Sequence, residues 1–263
     1  MQITRQTNFD VKQGYLQMDQ AGTARNAHPD VVVTEALIFD MDGTMIDSMP
    51  SHQESWAVFA QRHGLKVEIA ELMRRTTGRT GLECMRDLFG RPDMDAAEGM
   101  AHVHAKEAVY REIFSPIFAE VAGFKAFFQQ AYDLGLKLGV GTAGDRHNQA
   151  FAYSHLQMPV APHATVGGDE NLPGKPEPAI FLEVARRLGV AATACVVFED
   201  APFGIEAARR AGMRAVAICT SHSAEDLAGP HVIASVRDYN ELMDADFLWQ
   251  LLVQARGEDS AHP

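Results

Sequence analysis

Ala36-Leu37-Ile38-Phe39-Asp40-Met41-Asp42-Gly43-Thr44 is an apolar run that ends by delivering two carboxylates, two residues apart, into a glycine turn. The run reads as a buried strand. Side chains alternate along a strand, so Asp40 and Asp42 leave the same face and can act on one substrate atom. Carboxylates held together at the mouth of a buried strand repel each other, and a divalent cation is the usual compensation. The segment points to phosphoryl transfer.

Moving outward from this strand, apolar runs recur at about 31–39, 136–141, 163–167, 194–199 and 214–218, with a weaker one near His231–Val236. Helical stretches separate them, so the pattern predicts a parallel sheet covered on both faces. Phe124, Phe127, Phe128, Ala131 and Leu134 mark one helix face ahead of Gly135, and Ile180, Val184 and Leu188 another ahead of Gly189, both glycines placed as C-caps. Residues 48–122 break the alternation. There Trp56 and Phe59 stripe a helix that starts near Pro50 and ends at Gly64, Ala108, Tyr110, Ile113 and Phe114 suggest another, and no strand is evident. A crossover needs only about a dozen residues, so this segment is predicted to be a second, helical unit inserted after the first strand. The fold class expected is α/β, a Rossmann-like parallel sheet core (31–47 and 123–263) with an inserted α-helical cap domain (48–122). Residues 1–30, rich in Gln, Asn, Asp and Thr, are expected to form a tail or irregular cover.

The 263 residues carry 23 Lys and Arg against 35 Asp and Glu, a net charge of −12. That balance repels nucleic acid and anionic membranes, so an anionic substrate needs a local basic pocket. Cys84, Cys195 and Cys219 are odd in number and lack metal-ligand spacing, which argues against a disulfide framework or a zinc site and fits a reducing cytoplasm. No apolar run approaches the roughly 20 residues of a membrane helix, and residues 1–30 lack the apolar segment of a secretory signal.

Polar residues stand at or just beyond successive strand ends: Asp40 and Asp42, Thr142, Lys175, and Glu199 with Asp200. Ligands of open parallel sheets bind outside the carboxyl ends of the strands, so these groups are expected to converge on one site. Taken singly, a Thr at a strand end or a Lys in a loop is most often a turn residue or a solvated charge. The paired aspartates are not so easily explained, because carboxylates are seldom placed there without a partner.

DMDGT at 40–44, VGT at 140–142, GKPEP at 174–178 and VVFEDAPFGIEAARRAG at 196–212, in this order, resemble the haloacid dehalogenase superfamily across about 31–220. The resemblance implies that Asp40 is a nucleophile forming an aspartyl-phosphate and that Asp42 is the general acid and then base. It implies that Thr142 and Lys175 hold the phosphoryl oxygens, with Ala143 and Gly144 lining the substrate site. Mg2+ would be bound by Asp40, the carbonyl of Asp42 and Asp200, with Glu199 either a direct ligand or an acceptor for metal-bound water. Asp42 and Asp200 weigh against the dehalogenase branch, where halide leaves unprotonated and without a metal.

His52 and Trp56 make an H-x-x-x-W pair resembling the beta-phosphoglucomutase-like subgroup, in which the matching His meets the general acid. Thr77-Gly78-Arg79-Thr80 resembles that subgroup's specificity loop and Lys106 its cap cation. Arg75, Arg79, Lys106 and Lys175 are the candidates for the basic pocket. The chain has Gly81 where the mutase loop presents an Arg, a departure that favours a plain phosphatase of a small phosphorylated metabolite of the sugar-phosphate class. A phosphosugar mutase and a non-catalytic phosphometabolite-binding protein are the alternatives. No nucleic-acid or membrane partner is expected, and the protein is expected to be a monomer or weak homo-oligomer.

Overall fold

The computed structural model describes residues 31–76, 78–243, 248 and 253–255. The tail expected over residues 1–30, and Thr77 of the specificity loop, lie outside them. Six parallel strands form the main sheet: β2 (Ala36–Phe39), β3 (Lys137–Gly141), β4 (Ala164–Val166), β5 (Cys195–Glu199), β6 (Arg214–Ile218) and β7 (Val232–Val236). Their order is β4-β3-β2-β5-β6-β7. β2 is central, and the chain leaves it first toward β3 and later returns on its other side with β5, which opens a crevice at the carboxyl ends of the strands.

The run expected as one strand over 31–39 is in fact two. β1 (Val31–Val33) pairs antiparallel with β8 (Val253–Ala255) in a separate two-stranded sheet, and the main-sheet strand starts at Ala36. Thr34 and Glu35, the polar residues between, make the break. The Glu35 N–H donates to the Ala194 carbonyl and its own carbonyl accepts from Lys137 N–H.

β2 is buried on both faces. Leu37 and Phe39 enter a cluster with Phe124, Phe127 and Phe128 of α5 (Phe124–Asp133) and with Leu138, Val140 and Tyr239. Ala36 and Ile38 face the opposite cluster, built on Val184 and Leu188 of α7 (Ala179–Leu188) and on Ala207 and Ala208 of α8 (Pro202–Arg210). An unbroken apolar strand is the expected signature of a sheet covered on two sides. α6 (Arg146–Leu156) lies with α5 on the first face, where Ala152 and Leu156 join its cluster. Gly135 and Gly189 do take left-handed backbone at the ends of α5 and α7, whereas Leu134, expected on the apolar face of α5, is 43% exposed because the helix ends at Asp133.

Between β2 and α5 stand four helices: α1 (Met49–Arg62), α2 (Ile69–Thr76), α3 (Gly81–Leu88) and α4 (Ala96–Phe114). They have a core of their own in Trp56, Phe59, Leu72, Cys84, Met85, Met94 and Val103. Two short connections tie this cap to the sheet and run side by side: the Asp47 N–H donates to the Ala119 carbonyl and the Val121 N–H to the Met45 carbonyl. Among the described residues no helix is long and apolar enough to cross a membrane.

Candidate active site

Register places the site. Phe39 is level with Val140 on one side and Phe198 on the other, so one residue further Asp40 emerges beside Gly141 and Glu199. The chain then leaves the sheet: the N–H groups of Thr44, Met45 and Ile46 all turn back to the Met41 carbonyl, and Gly43 takes φ +75. A Cβ at position 43 would lie 2.1 Å from Asp200 Oδ2, so only glycine lets the loop pass this close to the second acidic motif.

Asp40, Asp42, His52, Arg79, Lys106, Thr142, Ala143, Gly144, Glu199 and Asp200 all line one cleft of about 440 Å3 between sheet and cap. Lys175 lines not this cleft but a smaller recess that shares Gly78, Ala143 and Leu172 with it. Its Nζ donates to Asp40 Oδ1 at 2.5 Å and to Glu199 Oε1 at 2.6 Å, and all three side chains are buried. Glu199 Oε2 accepts from the N–H groups of Asp200 and Ala201, both at 2.8 Å, so each of its oxygens is occupied. Asp200 Oδ2 accepts from the Ser221 hydroxyl at 2.5 Å.

Three buried carboxylates thus lie near one ammonium, which bonds two of them. Burial pushes Asp40 up to about 7; the Lys175 ammonium opposes this while Glu199 and Asp42 add to it. Burial, then Glu199 and Asp40, drive Asp200 well above the usual carboxylate range. An excess of buried anionic oxygen, all hard donors, suits a hard divalent cation. Among the described residues no group of three or more His, Cys, Asp or Glu side chains forms a ready metal cage. A cation here would therefore draw on backbone carbonyl and water as well as Asp40 and Asp200, which suits Mg2+.

Asp42 does not share this cluster's partners. The loop turns its Oδ1 toward the cap, where it accepts from the Ser48 hydroxyl at 2.7 Å, meets His52 Nε2 at 3.0 Å, and accepts from the Tyr110 hydroxyl at 3.3 Å. Enclosure alone would raise this carboxyl, but His52, Ser48 and Lys106 outweigh it and hold it at about 2. His52 stacks on Tyr110 with ring centroids 3.8 Å apart.

Thr142 is buried at the end of β3, and its Oγ1 accepts from the Gly144 N–H at 3.0 Å. That contact leaves the hydroxyl proton to be donated into the cleft and takes the Gly144 amide out of contention as a phosphate donor. Among the described residues Arg79 pairs with Asp87, at 3.4 Å, while Arg75 pairs with Asp87 and Glu71 and does not line the cleft. Arg75 is thus removed from the basic pocket; its partners on α2 and α3 hold it at the surface.

A model of haloacid dehalogenase-like hydrolases matches residues 34–212. The chain belongs to the haloacid dehalogenase-like hydrolase family. Within it, the chain is 32% identical over 206 residues to the validoxylamine A 7'-phosphate phosphatase of Streptomyces hygroscopicus subsp. limoneus, covering 78% of this chain and 94% of that one. It is 33% identical over 181 residues to the fructose-1-phosphate phosphatase of Escherichia coli (strain K12), covering 68% and 94%. The solved beta-phosphoglucomutase of Clostridium difficile shares the fold of this haloacid dehalogenase-like hydrolase, with TM-score 0.72 at 22% identity over 83% of this chain and 97% of that one.

Ser48, Tyr110, Glu107, Asn148 and Ser221 were not among the residues expected at the site of this family member. Ser48 stands where an N-cap belongs, yet its hydroxyl makes no cap bond to α1 and goes to Asp42 instead. Tyr110 was legible as one apolar position in a buried helix stripe, which its ring fulfils while its hydroxyl reaches the site.

Proposed function

We propose that the protein is a Mg2+-dependent phosphatase of small phosphorylated metabolites, of the sugar-phosphate class, working through an aspartyl-phosphate on Asp40. The observation that carries this reading is the buried Asp40 carboxylate held by Lys175 at the carboxyl edge of β2, with a second carboxylate two residues on that answers to the cap.

The roles are those the family resemblance implies, and the geometry supports them. Asp40 attacks phosphorus in line, and the ester oxygen departs with a proton from Asp42; a water, deprotonated by Asp42, then releases phosphate from Asp40. The His52 and Ser48 contacts stabilise ionised Asp42, the form required for the second step. For the first step Asp42 must carry a proton, the role the resemblance gives it. Lys175 keeps Asp40 aimed, Glu199 keeps Lys175 aimed, and the Thr142 hydroxyl donates to the phosphoryl group. Asp40, Asp200 and the Asp42 carbonyl would hold Mg2+, which supplies charge compensation for the transferring phosphoryl oxygens.

Two of the relatives are named for phosphorylated sugars or sugar-like compounds, which supports the substrate class. Hydrolysis is favoured over mutase transfer because the cap offers little grip for a second phosphate. The Lys106 ammonium is engaged by His52 and Glu107, and Gly81 carries no side-chain cation. Incubation with Mg2+ and a panel of phosphosugars, following free phosphate and isomerised sugar phosphate together, tests the reading. Phosphate without isomer, abolished by a chelator, is expected; isomer without phosphate would establish a mutase, and neither would leave a binding protein.

Arg79 lines the cleft and, among the described residues, its side chain is held by Asp87 at 3.4 Å, so it is assigned to the non-reacting part of the substrate. Arg79→Ala should raise KM for phosphosugars about tenfold, the worth of one charged hydrogen bond, and leave KM for p-nitrophenyl phosphate nearly unchanged. Equal effects on both substrates would remove Arg79 from that role.

A further inference from the structure

A hydrogen-bonded chain runs from Asp42 through the cap and back to the sheet layer. His52 Nδ1 meets Lys106 Nζ at 2.8 Å, Lys106 Nζ donates to Glu107 Oε1 at 2.9 Å, and Glu107 Oε2 accepts from Asn148 Nδ2 at 2.7 Å. Asn148 Oδ1 in turn accepts from Arg111 at 2.6 Å. Lys106, Glu107 and Arg111 belong to α4 of the cap, and Asn148 to the first turn of α6, whose Asp145 cap lies three residues beyond Thr142.

We propose that Glu107 is a positioning residue for the reaction: it holds the Lys106 ammonium against His52 so that His52 presents its Nε2 proton to Asp42, and does so while α4 is seated on α6 through Asn148. The inference rests on the roles given above to Asp42 and His52.

The reasoning is one of donors and acceptors. An ammonium can only donate, so a Lys106 contact at Nδ1 obliges that nitrogen to accept, and the imidazole proton then lies on Nε2, facing Asp42 Oδ1. Lys106 is 2% exposed, with the Trp56 ring centroid 4.8 Å and the Tyr110 centroid 5.6 Å from Nζ. Aromatic faces attract a cation but do not take its N–H bonds, and a buried ammonium without an acceptor is costly. Among the described residues Glu107 is the carboxylate bonded to it. Glu107 divides its two oxygens between Lys106 within the cap and Asn148 across on α6. The same side chain therefore ties the aim of Lys106 to the seating of the cap.

Glu107→Gln keeps the shape and removes the charge. Nitrogen-edited NMR of the full-length protein at neutral pH should show wild-type His52 as the Nε2–H neutral tautomer and lose that single form in E107Q. In the same variant kcat for p-nitrophenyl phosphate and for a sugar phosphate should fall about 10- to 100-fold, the cost of a small misplacement at the reacting group, with KM changed by about twofold or less. Asn148→Ala, which leaves Lys106 paired, should lower kcat by less than E107Q and without a KM rise. A wild-type His52 signature and kcat in E107Q would overturn the proposal. Should E107Q not fold, a wild-type kcat in Asn148→Ala would overturn it instead. If the wild-type protein turned over no phosphoester, the phosphatase reading would fall, while the His52 tautomer would still decide what Glu107 does.

Discussion

Asparagine at position 40 should lower kcat for phosphoester hydrolysis by on the order of ten-thousand-fold, the scale of losing a covalent nucleophile, while leaving the protein at least as stable as the wild type. The amide keeps the shape of the carboxylate and an oxygen that can accept from Lys175, but it cannot capture phosphorus. The stability half follows from electrostatics. Burial, with Glu199 and Asp42, raises the Asp40 carboxyl to about 7 against the pull of Lys175, so above that pH its charge is held at a cost that the amide does not bear. The sign is that of a native group binding more protons than the unfolded chain: stability of the metal-free wild type falls as pH rises from the ordinary carboxylate range through about 7, and Asp40→Asn flattens that fall. Steady-state kinetics and thermal melts across pH check both halves. Activity within tenfold of wild type, or a variant markedly less stable at neutral pH, would count against a nucleophile held under strain.

Lys175→Met should do the reverse to stability and the same to activity. Methionine is close in length, and Lys175 Nζ lies 4.9 Å from the Phe181 ring centroid, a face that a methionine can also meet, so packing is retained. The charge is not. Asp40, Glu199 and Asp200 would be left buried without their ammonium, and breaking such a buried pair costs about 3–5 kcal/mol, or roughly 10 °C in Tm for a chain of this size. Burial alone would lower the Lys175 pKa, but Asp40 and Glu199 more than offset this and raise it above the usual lysine value. Its contribution is therefore present throughout the working pH range and would be lost only at strongly alkaline pH. The loss in Lys175→Met should shrink as pH is lowered toward 5, because the orphaned carboxylates take up protons. Calorimetry at two pH values checks this, and a pH-independent loss would mean that packing, not charge, was removed.

The sheet and the position of the site were legible because both rest on local signals. β2, β3 and β5 are apolar runs that end on Asp40, Thr142 and Glu199 with Asp200, and parallel topology gathers those ends, whereas Lys175 comes from the loop well beyond β4. The misreading of 31–39 as one strand came from weighing its apolar residues over Thr34 and Glu35: Glu35 already bonds to the main-sheet neighbours Ala194 and Lys137, whereas Val31–Val33 pair with a different strand. Site residues that sequence did not signal are those with an ordinary structural alibi. Ser48 stands where caps stand, Tyr110 where buried helix residues stand, and Glu107 beside a lysine on a long helix; their second roles depend on the cap's seating over the sheet, a relation between residues 48–122 and the strand ends that no local pattern encodes. Arg75 shows the converse, a cation near the cleft in sequence that α2 and α3 hold at the surface.

The central claim is that Asp40 becomes covalently phosphorylated. Rapid acid quench of the Mg2+-loaded enzyme with a radiolabelled sugar phosphate, followed by peptide mapping, tests it directly. Label on the peptide holding Asp40, absent in Asp40→Asn, is the expected result; rapid phosphate release with no label at Asp40 at any quench time would contradict the account.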